Sequence, residues 1–387
     1  MSSRQTPENP SSGTSPVVFD AGLVSYEFVR SLGQGHHGEL VLTRQRYQQG
    51  LGGYTVVKRL NRVVRQEDYH RLVEEARLGG QLRHPNIVSV QLLAGTPDEP
   101  LLLIEHVEGQ ALGDLMRLAA RAGRPLSEAF ACYVTSEVAK GLHHAHSLQD
   151  ENGRGLAVVH RDVTPQGILV SQHGEVKLLD FGGAWSRLEG RISTEGDSDL
   201  GNIAYGSPER AMLEQLDGRS DLFSLGLILL QLLTGRHLLD AVARHEAEMR
   251  GRQLRARGDG TPRGPGLAEL SPARTTELMK RMRQLSPQQV EEATRSLNEG
   301  LRAILHQVLA PRREDRYSTG AELAQALRDY LWNAGQRYGA LELVREVSTL
   351  TREALEALEE PQEPSDPSRK RGRGAPRGRR GGSGKES

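Results

Sequence analysis

The chain has 387 residues, room for two or three compact units, and a 36% hydrophobic fraction is enough for a sizeable core. Fifty Lys and Arg balance fifty Asp and Glu, so no whole-molecule field selects nucleic acid or membrane, and any such preference has to be local. One cysteine, Cys132, excludes an internal disulfide and points to a reducing compartment, and the N-terminus lacks the basic and apolar regions of a secretory signal.

Residues 1–20 are rich in Ser and Pro, show no hydrophobic period and are expected to be disordered. From Tyr26 to Lys58 the runs FVRSL, ELVLTR and YTVVKRL, separated by glycines, predict an antiparallel meander. Tyr69, Leu72, Val73 and Ala76 then recur at helical spacing between Glu67 and Leu82, with Gly79 and Gly80 weakening the end of that helix. IVSVQLLA and LLLIEHV predict two more strands, and near Gly109 the texture changes from strand to helix. Long helical patterns follow, beginning with SEAFACYVTSEVAKGLHHAHS, whose His143, His144 and His146 have no cysteine or carboxylate cluster to complete a metal site. The stretch from Leu222 to Leu233 is interrupted by Ser224, Gly226 and Gln231 and falls short of the roughly 20 apolar residues a bilayer requires, so a cytoplasmic chain without a membrane span is expected. Residues 251–268 read as a surface loop inserted between helices, and Leu341 to Leu358 as a further helix. Residues 369–387 hold eight Lys or Arg against one acid, a flexible cation suited to polyanion or nucleic-acid contact but without an aromatic residue to stack on bases.

Chemistry concentrates in a few short runs. Gly33-Gln34-Gly35-His36-His37-Gly38 lets backbone N–H groups approach phosphates, and because strand alternation follows it, the glycines belong to a strand–turn–strand lid and not to a dinucleotide-binding helix start. Lys58 ends the strand YTVVK, where an ammonium can reach phosphates beneath that lid, and Glu75 lies on the helix face suited to holding it. His160-Arg161-Asp162-Val163-Thr164-Pro165-Gln166-Gly167 and Leu178-Leu179-Asp180-Phe181-Gly182 complete the set.

With those five motifs in that order, the chain resembles the protein kinase family over about residues 26 to 333, and HRDVTPQ looks most like bacterial Ser/Thr kinases of the eukaryotic type. The resemblance implies an α+β, bilobal protein-kinase-like fold: an antiparallel-sheet N-lobe with one main helix over 21–107, and a mostly helical C-lobe over 108–335. A helical extension over 336–360 and a disordered basic tail over 361–387 would follow. It implies ATP and Mg²⁺ as cofactors and protein substrates as partners. Asp162 would accept or orient the proton of the substrate hydroxyl, Asp180 would hold Mg²⁺, and Lys58 would pair with Glu75 and the α/β-phosphates. Leu32, Gly33, Gly35 and Gly38 would cover the nucleotide. Glu105 and Val107 would offer backbone groups to adenine, with Ile104 in the gatekeeper place and Leu40, Val56 and Leu169 sandwiching the ring. Glu209 would pair with Arg316, and Asp221 would anchor the catalytic-loop backbone. Ser193, Thr194 and Ser198 lie in the activation segment, where a phosphate would pair with Arg161 and order the loop.

The sequence departs from the family at Gly167, in the place of the Asn that binds a second Mg²⁺, and at Thr164, where many members carry Lys. Val56 replaces a small Ala at the adenine site, and Gly79 replaces a bulky apolar residue in the column running through Phe181 and His160, where a gap is expected. Two readings follow: an active, slow Ser/Thr protein kinase, or a pseudokinase that binds nucleotide or a partner without transfer.

Overall fold

The computed structural model describes residues 16–35, 38–60, 66–96, 98–188, 203–239 and 272–359. The first strand, β1 (Val17–Asp20), lies inside the segment expected to be disordered. The short apolar run VVFD pairs antiparallel with β2 (Val24–Gly35), and Phe19 stacks on Tyr26 with ring centroids 5.9 Å apart, which gives this stretch both a ladder and a small apolar contact. β2, β3 (Gly38–Tyr47) and β4 (Gly50–Arg59) form the predicted meander. Gly38 is required where it stands: its φ is +146°, and a Cβ there would press on the Arg59 carbonyl group.

The helix α1 (Gln66–Gly79) packs on β5 (Val90–Gly95) and β6 (Pro100–Glu105), and the sheet closes in the order β1-β2-β3-β4-β6-β5. A second, three-stranded sheet, β7 (Gly109–Ala111), β8 (Ile168–Ser171) and β9 (Val176–Leu178), joins this lobe to the helices. The connection from α1 to β5 bridges the two: Val88 N–H donates to the Leu178 carbonyl at 2.9 Å, and Leu178 N–H to that of Asn86 at 2.8 Å.

The helical part comprises α2 (Leu112–Arg121), α3 (Glu128–His146), α4 (Pro208–Ala211), α5 (Gly218–Thr234), α6 (Pro272–Arg283), α7 (Pro287–Thr294), α8 (Glu299–Val308), α9 (Gly320–Asn333) and α10 (Ala340–Glu359). α3 starts at Ser127, whose Oγ accepts from Phe130 N–H at 3.0 Å, and α5 at Asp217, whose Oδ1 accepts from Arg219 N–H at 2.9 Å. LFSLGLILL in α5 is buried around its whole circumference, its one hydroxyl, Ser224, donating to the Ser220 carbonyl at 3.1 Å, so Leu222, Phe223, Leu225, Leu227 and Ile228 lie in one core with Phe130, Val138 and Leu142 of α3. α10 lies against the same body: Glu346 accepts from both the backbone N–H and the Oγ of Ser127 at 2.7 Å, and Arg124 pairs with Glu353.

The architecture is the α+β bilobal arrangement, a sheet with one main helix above a mostly helical lobe. No helix among the described residues is long and apolar enough to cross a membrane. Residues 1–15, Ser193, Thr194, Ser198, 251–268 and 361–387 lie outside the described residues.

Candidate active site

Lys58 sits on β4, paired with Leu40 of β3 on one side and Leu102 of β6 on the other, so two ladders fix its backbone. Its Nζ donates to Glu75 Oε2 on α1 at 2.7 Å and to Asp180 Oδ1 at 3.3 Å. Three residues far apart in the chain therefore share one ammonium. Burial opposes the charge on Lys58, but the carboxylates of Glu75 and Asp180 outweigh it and hold its pKa above the ordinary lysine value. Burial, reinforced by the nearby Asp180, pushes Glu75 up to about 7 against the pull of Lys58. Asp180 keeps 57% of its side chain exposed, so the Lys58 ammonium sets its acidity, with help from the Gly182 N–H at 3.1 Å, and lowers it to about 2.

Asp180 holds this position at φ +62°, a left-handed conformation that its contacts to Lys58 and Gly182 stabilise. A Cβ on Gly182 would stand 2.9 Å from Glu75 Oε2 and 3.0 Å from Asp180 Oδ1, so a side chain after Phe181 would shift one of the two carboxylates by a few tenths of an ångström.

Asp162 is exposed on the loop between α3 and β8, and this loop is anchored from beneath. Asp221, buried on α5, accepts from His160 N–H at 2.8 Å and from Arg161 N–H at 2.9 Å, and its Oδ2 also meets His146 Nε2 at 2.8 Å. Those bonds hold Arg161 at φ +70° and so set the direction in which Asp162 leaves the loop. His160 Nε2 bonds the Leu179 carbonyl at 2.9 Å while its ring meets Phe181 edge-on at 4.6 Å, which locks the Asp162 loop to the Asp180 segment. Behind them, Glu209 and Arg316 form a two-bond ion pair at 2.8 and 2.9 Å, fully buried, with the guanidinium over the Phe223 ring.

The residues expected around adenine come together. Val56 and Ile104 belong to one apolar cluster, against which Leu40, Val107 and Leu169 pack. Glu105 turns its side chain to Lys177 at 2.7 Å and to Ser89 N–H at 3.0 Å, while its own N–H donates to the Ser89 carbonyl at 2.9 Å. Leu32 and Gly33 are exposed at the end of β2, and Gly35 pairs with Gly38 across the turn.

The departures also take definite form. A Cβ on Gly167 would meet only Thr164 Oγ1 at 3.5 Å and the Asp162 carbonyl oxygen at 3.9 Å, ordinary contacts, so the position has room for a side chain that the sequence does not supply. Gln166, the residue before it, lies over Gly113 of α2, where a Cβ would stand 2.8 Å from its Cδ, and so is turned away from the place of the missing ligand. Thr164 is buried, and its Oγ1 accepts from Gly167 N–H at 3.2 Å, so it shapes the loop. No gap exists at Gly79: Val90 of β5 fills it, with Cβ 2.9 Å from where a Gly79 Cβ would be and Cγ2 closer still. Sequence reasoning also missed His146, Lys177 and Val90, because the partner of each is remote in the chain.

A protein kinase domain matches residues 26–330. The chain belongs to the protein kinase family, and its relatives place it with the bacterial kinases of the eukaryotic type. The tyrosine-protein kinase MasK of Myxococcus xanthus is 32% identical over 346 residues, which cover 87% of this chain and 48% of MasK. The serine/threonine-protein kinase PrkC of Bacillus subtilis is 35% identical over 170 residues, 44% of this chain and 24% of PrkC. The chain thus spans about half or less of the length of these curated relatives. Among solved structures, the PknI kinase domain of Mycobacterium tuberculosis is similar over 81% of this chain and 97% of that domain, at 21% identity and a TM-score of 0.49.

Proposed function

We propose that this chain is an ATP- and Mg²⁺-dependent protein kinase that transfers the γ-phosphate to a serine or threonine hydroxyl. The observation that carries the reading is the single ammonium of Lys58 held between Glu75 and Asp180 at 2.7 and 3.3 Å, beside a loop anchored so that Asp162 is exposed. Lys58, fixed by Glu75, binds phosphate oxygens of the nucleotide, and the glycine turn of β2 and β3 covers them with backbone N–H groups. Asp162 orients the acceptor hydroxyl and takes its proton as the new P–O bond forms and the bond from γ-phosphorus to the bridging oxygen breaks, releasing ADP.

Asp180 suits one hard cation: it is exposed, ionised at any physiological pH, and a single carboxylate with phosphate oxygens and water is an ordinary Mg²⁺ donor set. Bound Mg²⁺ supplies charge neutralisation on the β- and γ-phosphates. Gly167 offers no oxygen for a second ion and Gln166 is turned to α2, so transfer is slow relative to a chain with Asn at that place. Since disturbing even a metal's outer partners costs about 10- to 100-fold, Gly167→Asn, for which the space exists, is expected to raise turnover by at least about 10-fold.

The choice of Ser/Thr over Tyr rests on the HRDVTPQ run and on relatives such as PrkC, while MasK carries the name of a tyrosine kinase. Phosphoamino-acid analysis of the labelled product decides it: phosphotyrosine alone would overturn the assignment. A second reading, a nucleotide-binding pseudokinase, is favoured by Gly167. Transfer from γ-labelled ATP that Asp162→Asn abolishes supports the kinase; nucleotide binding without transfer, unchanged by Gly167→Asn, supports the pseudokinase. The basic tail is assigned a polyanion contact, and a tail deletion with unaltered salt-dependent retention on a polyanion column would remove that part.

A further inference from the structure

A cavity of 470 Å³ lies between α3, α9 and the residues that lead into α10, and none of its lining residues belongs to the nucleotide site or to the loop that carries Asp162. Small-molecule sites occupy roughly 300–1,000 Å³, so the space is large enough for one. Its walls are largely aromatic. Tyr133 of α3 and Tyr338 before α10 meet with ring centroids 5.7 Å apart, and the Tyr338 hydroxyl donates to Glu346 at 2.8 Å, so what Tyr338 gives the cavity is its ring. Leu331, buried on α9, adds an aliphatic patch. Trp332 beside it stays 76% exposed, an indole left in water at the border of an apolar space, and a flat ring laid against it would remove that surface from water.

The charge at this cavity has a surplus of one sign. Glu137 and Lys140 of α3 pair with each other, and Glu137 also accepts from Asn86 Nδ2 at 3.1 Å. Glu342 stands in the first turn of α10 and accepts from Gly339 N–H at 3.0 Å, so the helix N-terminus offsets its charge. Arg328 and Arg337 remain. Both are exposed and have no carboxylate partner among the described residues; Arg328 donates to a neutral group, Gln325 Oε1, at 2.6 Å. Aromatic walls edged by two guanidinium groups suit a flat ligand of negative charge. The outlying segments of this chain have the wrong chemistry for it: residues 1–15 and 360–387 contain no Phe, Tyr or Trp, and residues 369–387 hold eight Lys or Arg.

We infer that this cavity is a binding site for a small planar aromatic anion, a ring system carrying a carboxylate, sulfonate or phosphate group. The ring is held by Tyr133, Tyr338 and Trp332, and the anionic group is held by Arg328 and Arg337. A cationic ring of the same size is disfavoured by the same two guanidinium groups. Neither the ligand nor its test depends on phosphoryl transfer, so the inference stands apart from the kinase reading.

The test is a titration of the 387-residue chain with anilinonaphthalene sulfonate and, in parallel, with phenylnaphthylamine, which has the same rings without the charge. The chain has two tryptophans, so a Trp185→Phe background leaves Trp332 as the energy donor, and probe emission excited through it reads binding at this cavity. In that background Arg328→Glu/Arg337→Glu reverses two exposed charges without touching the core. Like-charge juxtaposition then replaces attraction, so the sulfonate should bind about 10-fold or more weakly, while the neutral probe changes by no more than about 2-fold. The uncharged Arg328→Gln/Arg337→Gln should fall between for the sulfonate. That separation of the two probes is the expected result. Saturable energy transfer to neither probe, a sulfonate affinity that both double variants leave unchanged, or equal loss of both probes in the Gln variant overturns the inference.

Discussion

Adding a side chain at Gly79 should destabilise the protein, and trimming Val90 should cancel much of that loss. Gly79 closes α1, and a Cβ there would stand 2.9 Å from Val90 Cβ with Cγ2 nearer. Val90 has little freedom to yield, being β-branched and held on β5 opposite Ile104. Overpacking of this kind costs about 1–3 kcal/mol, and replacing a helical Gly by Ala returns about 0.5–1 kcal/mol, so Gly79→Ala should lose ~1–2 kcal/mol and Gly79→Leu ~3 kcal/mol. Val90→Ala alone gives up two methyl groups, ~1.6 kcal/mol at about 0.8 kcal/mol each. In the double variant the overlap disappears and the new Cβ occupies part of the vacated space. The two changes should therefore be non-additive by about 1–3 kcal/mol in favour of the double variant, measured as a cycle of urea unfolding midpoints and slopes. Additivity within ~0.5 kcal/mol, or a gain in stability from Gly79→Leu on its own, would refute the packing argument and restore the idea of a gap.

Removing one partner of the buried Glu209–Arg316 pair leaves a carboxylate with only Ser220 Oγ as a side-chain partner, so Arg316→Met should cost about 3–5 kcal/mol, read by urea unfolding. Burial works against the Glu209 charge but Arg316 outweighs it and lowers the pKa, so the pair's stabilisation is present above the unfolded carboxyl value and lost as pH falls through the folded one. Gly182→Ala should reduce transfer by about 10- to 100-fold with little loss of stability, because its Cβ must displace Glu75 or Asp180 by a few tenths of an ångström; unchanged turnover would show that the contact of those three groups is not required. With Glu75 at about 7, the ion pair that holds Lys58 is lost as pH falls through that value, so turnover should decline there in the wild type and stay low and flat in Glu75→Gln. Stability moves the other way for this group, its favourable contribution being lost as pH rises from the unfolded carboxyl value toward about 7.

Lys58, Glu75, Asp162 and Asp180 could be singled out because each stands in a short run that matches a motif of the family the chain resembles, and the structure brings three of them, Lys58, Glu75 and Asp180, into contact. The meander and the α3 and α5 helices were legible for another reason: periodicity and caps at Ser127 and Asp217 are local signals. What stayed hidden depends on register and direction between distant segments. Val90 meets Gly79 only because β5 pairs with β6 in one particular register, and no count along the chain reveals that. The direction of Gln166 follows from a glycine on α2, and Asp221 finds His146 at 75 positions' separation, as Lys177 finds Glu105 at 72. β1 was missed because three apolar residues in a Ser- and Pro-rich lead gain their structure from β2 and not from their own pattern.

The claim on which the account turns is that Lys58 and Asp180 face one triphosphate. Titration of ATP into the 387-residue wild type and Asp180→Asn, each with and without Mg²⁺, addresses it directly. The account predicts that Mg²⁺ tightens binding to the wild type and loses that effect in Asp180→Asn, with Lys58→Met weakening binding under both conditions. Equal ATP affinities in all these proteins, with or without the metal, would contradict it.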